Sequence, residues 1–283
     1  MKFASYFREG RACWGQVEGD FVRDSGTALR DRYPTLRDAL AAPSLPPLAE
    51  ENSEMIPLAE VTLRAPIPDA RRIFCVGLNY AAHREETFNK PSDHPTIFVR
   101  FASSIVGPDC NLICPDASSQ FDYEGELAVV IGRAGRHIPE SDALEYVAGY
   151  SCFNDGSVRD YQRHTTQFTP GKNFEESGSF GPWIVTPDEI PDPAKLELTT
   201  RLNGQTVQNS TTDLMLFPVT NLIHFLSIFT ALQPGDVIAT GTPSGVGSRR
   251  DPPLWMKPGD RVEVEISGVG LLANGIAAES SAS

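Results

Sequence analysis

The stretch Phe121-Asp122-Tyr123-Glu124-Gly125-Glu126-Leu127-Ala128-Val129-Val130-Ile131 carries most of the information in this chain. Its continuous, β-branched end reads as a buried strand, and its beginning places two carboxylates on that strand. Side chains at i and i+2 share a face, so Glu124 and Glu126 stand about 6.5–7 Å apart at the backbone and can converge on one ion. Gly125 between them has no side chain and leaves room for another chain on the opposite face. Two anions beside an apolar strand are costly unless a positive charge lies between them. A pair spaced in this way can also be a plain solvated face, and the apolar run that follows is what argues for burial.

A third acid lies further on. Val147-Ala148-Gly149-Tyr150-Ser151-Cys152-Phe153 reads as a strand that ends in Asn154-Asp155-Gly156, and Ser157 to Arg163 has helical character. Asp155 then stands at a strand-to-helix junction, with Arg159 and Gln162 on the helix. An all-carboxylate set with no His or Cys nearby suits Mg²⁺ or Mn²⁺ first, Ca²⁺ after them, and not Zn²⁺.

Composition removes several alternatives. The chain has 283 residues, with 24 Lys and Arg against 37 Asp and Glu, a formal net charge of −13. That balance, without a local basic run, argues against a nucleic-acid partner. The apolar run Leu222 to Phe229 is far short of a membrane span, and Met1 to Glu9 lacks the apolar core of a signal peptide. A soluble, cytoplasmic protein is expected. Five widely spread cysteines, Cys13, Cys75, Cys110, Cys114 and Cys152, read as reduced thiols.

Lys2 to Arg8 reads as a strand, and Gly15 to Val22 as a hairpin turning at Glu18-Gly19-Asp20. A helix is expected from a Thr35 N-cap to Ala42. Pro43 to Leu48, Glu50-Glu51-Asn52 and the Pro66/Pro68 pair read as a linker. Residues 1–68 are therefore expected to form a small N-terminal domain, and residues 69–283 a strand-rich main domain. One firm helix is expected over Val219–Leu232, stopped by Gln233-Pro234-Gly235-Asp236.

Three further features carry chemistry, each beside a plainer reading. His83 and Glu86, i and i+3 in a short helix after the strand Ile73 to Val76, can form a hydrogen-bonded dyad or stand as an incidental pair on a solvated face. Lys172 in Gly171-Lys172-Asn173-Phe174 can hold a substrate oxyanion or be an ordinary loop lysine. Thr240-Gly241-Thr242-Pro243-Ser244-Gly245-Val246-Gly247 can be a backbone nest for a carboxylate or a tight turn. It lacks the spacing of a nucleotide-binding loop.

The order of these motifs resembles the fumarylacetoacetate hydrolase superfamily, in its bacterial two-domain form. The resemblance runs through Cys75 to His83, Asp122 to Gly132, Asn154 to Gln162, Gly171 to Phe174, Leu202 to Gln205 and Gly241 to Gly247, about residues 70–275. It implies an α+β, strand-rich fold: a mixed β-sandwich roll with a small N-terminal α+β domain. It also implies Mg²⁺ or Mn²⁺ as cofactor, with Ca²⁺ able to substitute in crystals, and a homodimer. On the matching positions, Glu124, Glu126 and Asp155 would hold the metal, and His83 oriented by Glu86 would be the general base. Lys172 and Gln162 would line the metal-bound oxygens, Thr242 would hold a substrate carboxylate, and Arg159 would support that network. Two departures stand out: Arg100, where many acylpyruvate-hydrolysing members have lysine, and the stretch Glu175 to Phe180.

The implied activity is metal-dependent hydrolysis of a C–C bond in a 1,3-diketo acid of the acylpyruvate or fumarylpyruvate type, through an enolate held on the metal. Decarboxylation of an oxaloacetate-like acid, or isomerisation or tautomerisation of a 2-hydroxydienoate in aromatic catabolism, is the alternative. A non-catalytic metal-dependent carboxylate binder is the reading from outside enzymology. The expected partner is thus a small 2-oxo or 1,3-diketo acid.

Overall fold

The computed structural model describes residues 1–42, 45–48, 53–88 and 90–279. Pro43, Ser44 and residues 49–52 of the expected linker, and residues 280–283 of the Ala/Ser-rich tail, lie outside them. The chain opens with β1 (Lys2–Arg8), β2 (Arg11–Glu18), β3 (Phe21–Asp24), α1 (Gly26–Arg32), α2 (Leu36–Leu40), β4 (Met55–Pro57) and β5 (Thr62–Leu63). Next come β6 (Ile73–Gly77), α3 (Ala81–Glu86), β7 (Thr96–Arg100), β8 (Ile105–Val106), β9 (Leu112–Cys114), β10 (Phe121–Asp122) and β11 (Gly125–Ile131). They lead into β12 (Val147–Asn154), β13 (Ser157–Val158), α4 (Arg159–Gln162), α5 (Thr169–Lys172) and β14 (Gly178–Val185). The last part holds β15 (Glu197–Leu202), β16 (Gln205–Thr211), α6 (Val219–Phe229), β17 (Val237–Ala239), β18 (Arg261–Ile266) and β19 (Gly270–Ala278).

The architecture is strand-rich α+β with mixed sheets, as the sequence led us to expect. A 12-stranded sheet runs in the order β4-β3-β2-β1-β14-β12-β11-β17-β6-β7, with β5 and β8 attached to β1 and β14. A five-stranded sheet, β16-β15-β18-β19-β9, packs over one of its faces. β11 is buried along its whole length, and its alternation feeds two cores. Leu127, Val129 and Ile131 pack with Tyr150, Leu198, Val264 and Leu272 between the sheets. Ala128 and Val130 point the other way, toward Phe3, Trp14, Leu36 and Phe153. Burying each large aliphatic side chain stabilises the fold by about 1.5–3 kcal/mol. Gly125 faces the five-stranded sheet. A Cβ there would lie 2.1 Å from Thr200 Oγ1, so the second sheet can approach only because residue 125 has no side chain.

The N-terminal strands continue this sheet. β1 pairs antiparallel with β14, Lys2 opposite Val185. The hairpin β2–β3 turns at Gly19-Asp20 as expected, and Thr35 caps α2 in a capping box with Asp38. β3 ends at Asp24, a buried carboxylate that accepts hydrogen bonds from Tyr6 Oη, Arg30 Nη1 at 2.5 Å and Gly26 N–H at 2.7 Å. Burial works against its charge, but these donors together hold its pKa below the usual carboxylate range. A depressed folded-state pKa gives stability that is present above the unfolded pKa, near 3.9, and lost as pH falls through the folded value. Asp24→Asn is therefore expected to cost about 2 kcal/mol at neutral pH and to flatten the acid limb of the stability curve. Urea melts of both proteins between pH 3 and 7 check this, and parallel acid limbs would refute it.

Three element boundaries differ from those expected. The run Phe121–Ile131 is two strands, because Tyr123-Glu124 carries the chain from a two-stranded ribbon with β13 into the large sheet. Ser157 and Val158 are spent on that ribbon, which leaves only Arg159–Gln162 helical. α6 stops at Phe229 and not Leu232: Thr230 turns extended, and Leu232 instead exchanges backbone hydrogen bonds with Gly135.

Candidate active site

The break between β10 and β11 sets the acids. Glu124 N–H donates to Asn154 Oδ1 at 3.0 Å, and Asp155 N–H donates to the Glu124 carbonyl at 2.8 Å. Asp155, just past the end of β12, is thereby fixed beside the start of β11. Glu126, two residues along on the same face, accepts the Gly241 N–H on Oε2 at 2.8 Å. One carboxylate oxygen from each of Glu124, Glu126 and Asp155 lies within 4.8 Å of the others, and all three residues are buried.

Basic groups answer part of that charge. Lys172 Nζ bridges Glu124 Oε2 at 2.5 Å and Asp155 Oδ2 at 2.6 Å. Arg159 donates to Asp122 Oδ2 at 2.8 Å and to Gln162 Oε1 at 2.9 Å. Its Nη2 sits 2.6 Å from Glu124 Oε1, a close ion pair set off the N–H axis. Arg159 rises from α4, and Lys172 closes α5. The two short helices touch because Gly171 has no Cβ to strike the Gln162 backbone.

Burial opposes the Glu124 charge, yet Arg159, Lys172 and His83 outweigh it and bring the carboxyl to about 2. Glu126 goes the other way. Burial, then the charges of Asp155 and Glu124, push it well above the usual range. Among the described residues no Lys, Arg or His is ion-paired with Glu126. An oxygen-only donor set with one carboxylate that the chain leaves without a counter-charge suits a hard divalent cation.

Arg100 and the stretch Glu175 to Phe180, the two departures from the family pattern, meet beneath Asp155. The buried Arg100 guanidinium makes five hydrogen bonds, among them Nη1 to Asp155 Oδ1 and Nη2 to Ser177 Oγ, both at 2.7 Å. Gly178 makes room for it, since a Cβ there would lie 2.7 Å from Nη2. The arginine thus holds Asp155 from behind and stays out of the cavity.

On the far wall, α3 carries His83, whose Nδ1 lies 2.7 Å from Glu86 Oε1. Glu86 Oε2 accepts the Gly245 N–H at 3.1 Å, which fixes the carboxylate. Because a carboxylate can only accept, Nδ1 is a protonated nitrogen, and in the neutral ring Nε2 keeps its lone pair. The cavity of about 270 Å³ is lined by His83, Glu124, Glu126, Lys172, Gln162 and Thr242. The structure thus brings every singled-out residue except Asp155 and Glu86 to the cavity lining; Asp155 is buried against Lys172 Nζ, and Glu86 stands behind His83. Thr242 Oγ1 donates to the Gly125 carbonyl at 3.0 Å and accepts from Gln208 Nε2 at 2.8 Å, so its hydroxyl proton is already engaged.

Sequence reasoning missed four contributors. Asp122 anchors Arg159 and also accepts the Gly247 and Ser248 N–H groups at 2.8 and 2.9 Å. Phe98 and Phe168, edge-to-face at 5.6 Å, form an apolar wall, and Lys172 Nζ lies 5.0 Å from the Phe98 ring. Asn79 clamps the loop after β17 to the segment before α6 through Thr240 O and Phe217. Asp122 and Asn79 lie inside stretches quoted above, whereas Phe98 and Phe168 gave no sequence signal.

Residues 72–277 match the family model described as fumarylacetoacetate (FAA) hydrolase C-terminal. The chain is 44% identical over 221 residues to the oxaloacetate tautomerase Fahd2a, mitochondrial, of Rattus norvegicus, covering 78% of this chain and 71% of that one. The structure resembles the fumarylacetoacetate hydrolase from Exiguobacterium antarcticum, with a TM-score of 0.88 and 36% identity over 99% of this chain and 100% of that one. It also resembles maleylpyruvate hydrolase from Sphingobium sp. SYK-6 in complex with manganese(II) and pyruvate, with a TM-score of 0.78, 28% identity, and coverage of 98% and 99%. With a matching family model over most of its length, and relatives that share its whole fold, the chain belongs to the fumarylacetoacetate hydrolase family.

Proposed function

We propose that the protein is an enzyme that enolises a short 2-oxo acid, interconverting its keto and enol forms. The observation that carries this reading is the His83–Glu86 dyad set across the cavity from the buried acids. The 44% identity to an oxaloacetate tautomerase supports it. Glu124, Glu126 and Asp155 would hold Mg²⁺ or Mn²⁺, which as a Lewis acid would polarise the oxygens of the 2-oxo acid. The manganese and pyruvate in the Sphingobium relative agree with that assignment.

The chain's own residues do the rest. Lys172 and Arg159 bring positive charge to the end where the substrate carboxylate sits, and Gln162 offers its amide N–H. Phe98 and Phe168 keep water from the reacting carbon. His83 Nε2 removes a proton from the carbon next to the ketone, and Glu86 stabilises the imidazolium that results. The imidazolium then returns the proton, to carbon or to oxygen, which interconverts the two forms.

Hydrolysis of an acylpyruvate is the second reading, because the same dyad can deprotonate water and a hydrolase shares the fold. The test follows absorbance with Mg²⁺ added to chelator-treated protein. Faster decay of oxaloacetate enol supports the first reading. Loss of the acetylpyruvate diketone band without an effect on oxaloacetate would overturn it in favour of the second.

A further inference from the structure

We infer that Arg250 is a positioning residue for the base: with Tyr123 it holds the Gly245 peptide that aims Glu86 at His83. The inference rests on the enolisation reading above, since it concerns the proton transfer assigned there to His83.

The dyad stands on the short helix α3. One Glu86 oxygen meets His83 Nδ1 at 2.7 Å, and the other is fixed from outside the helix, by the Gly245 N–H at 3.1 Å. Glu86 is therefore only as well placed as the Gly245 peptide. That residue cannot hold itself. Its φ of 101° is open to glycine, and glycine has the most backbone freedom to lose on ordering. No side chain can help there, because a Cβ would lie 2.3 Å from the Val207 carbonyl oxygen.

Two neighbours supply the restraint. The Gly245 carbonyl accepts from Tyr123 Oη at 3.1 Å and from Arg250 Nε at 3.2 Å. Arg250 Nε also donates to Tyr123 Oη at 3.0 Å, and its Nη2 donates to the Val207 carbonyl at 2.5 Å. Val207 belongs to β16, so the guanidinium ties the loop after β17 to the five-stranded sheet. A planar fork with donors in fixed directions suits such a grip.

Neither Arg250 nor Tyr123 lines the cavity. The flanks of the same loop are pinned by other groups. Gly241 N–H lies on Glu126 and Thr242 Oγ1 on the Gly125 carbonyl, and Gly247 and Ser248 give their N–H groups to Asp122. Loss of the Arg250 guanidinium thus loosens Gly245, and through it Glu86, while the buried acids keep their partners.

The test begins with proton spectra of the chelator-treated protein. The low-field resonance of the His83 Nδ1–H, identified by its absence from His83→Ala, reports the hydrogen bond to Glu86. Arg250→Gln is expected to move it upfield and to speed its exchange with water, and Tyr123→Phe to do so to a smaller extent. Loaded with Mg²⁺, Arg250→Gln should lower kcat on oxaloacetate enol about tenfold, with KM, manganese affinity and melting temperature near wild type. Because Arg250 acts through Glu86, the same substitution in a Glu86→Ala background should cost less than about twofold. An Nδ1–H resonance unchanged in both variants, a wild-type kcat in Arg250→Gln, or a tenfold loss that persists without Glu86 overturns the inference. If the resonance moves as expected while the wild-type protein does not accelerate enol decay, the enolisation reading falls and the role of Arg250 in placing Glu86 stands.

Discussion

Glu126→Gln is expected to abolish Mn²⁺ uptake, by more than about 100-fold in affinity, while leaving the chelator-treated protein at least as stable as the wild type. The sign of the stability effect follows from the electrostatics. Glu126 is buried with one backbone N–H as its hydrogen-bond donor and two carboxylates as neighbours. Without a cation its negative charge has no counter-charge, and a neutral amide of the same shape removes that cost. Glu124→Gln should behave in the opposite way. Glu124 pairs with both Lys172 and Arg159, and its loss leaves two buried cations short of a partner, at a cost of about 3 kcal/mol or more. Both variants lose the ion, but only one loses the fold's margin. Thermal melts in chelator, set beside manganese titrations followed by paramagnetic resonance, separate them. Should Glu126→Gln keep wild-type manganese affinity, the ligand assignment is wrong.

The contrast between these two acids was beyond reach of the sequence, although both residues were singled out there. Spacing put Glu124 and Glu126 on one face, since i and i+2 on a strand admit little else. Their difference comes from groups remote in the chain: Lys172 from α5 and Arg159 from α4 converge on Glu124, and Gly241 after β17 meets Glu126. For the same reason the quoted stretch divides at Tyr123-Glu124. A strand's partner is set by tertiary pairing, and β10 turns to β13 whereas β11 turns to β12 and β17.

Local chemistry was easier to read. β1 and the hairpin after it follow from alternation and a Gly-Asp turn, and α2 from the Thr35 cap. α1 gave no signal because none of its residues is buried, so it has no apolar stripe to detect. The site's polar floor was legible as motifs. Its apolar wall, Phe98 and Phe168, was not. They are ordinary residues in loops and short elements, and they gain meaning only from the cavity they share.

His83→Ala is expected to slow turnover by about 10²–10⁴-fold and to leave manganese affinity and the melting temperature close to wild type. Among the described residues the imidazole is hydrogen-bonded to Glu86 and to none of the three buried acids, so the proposed cation site does not depend on it. Its removal leaves a small cavity open to water, which limits the cost to stability. Glu86→Gln should be milder. The amide can still accept the Nδ1–H and preserve the ring's orientation, but it no longer stabilises the imidazolium. That variant is expected to lose about tenfold or more in kcat with little change in KM. Steady-state rates on oxaloacetate enol, with added imidazole for His83→Ala, check the assignment. Rescue by imidazole in proportion to its neutral form places proton transfer at this ring. A variant that keeps wild-type turnover, or that loses manganese together with activity, would move the base elsewhere or make His83 part of the metal site.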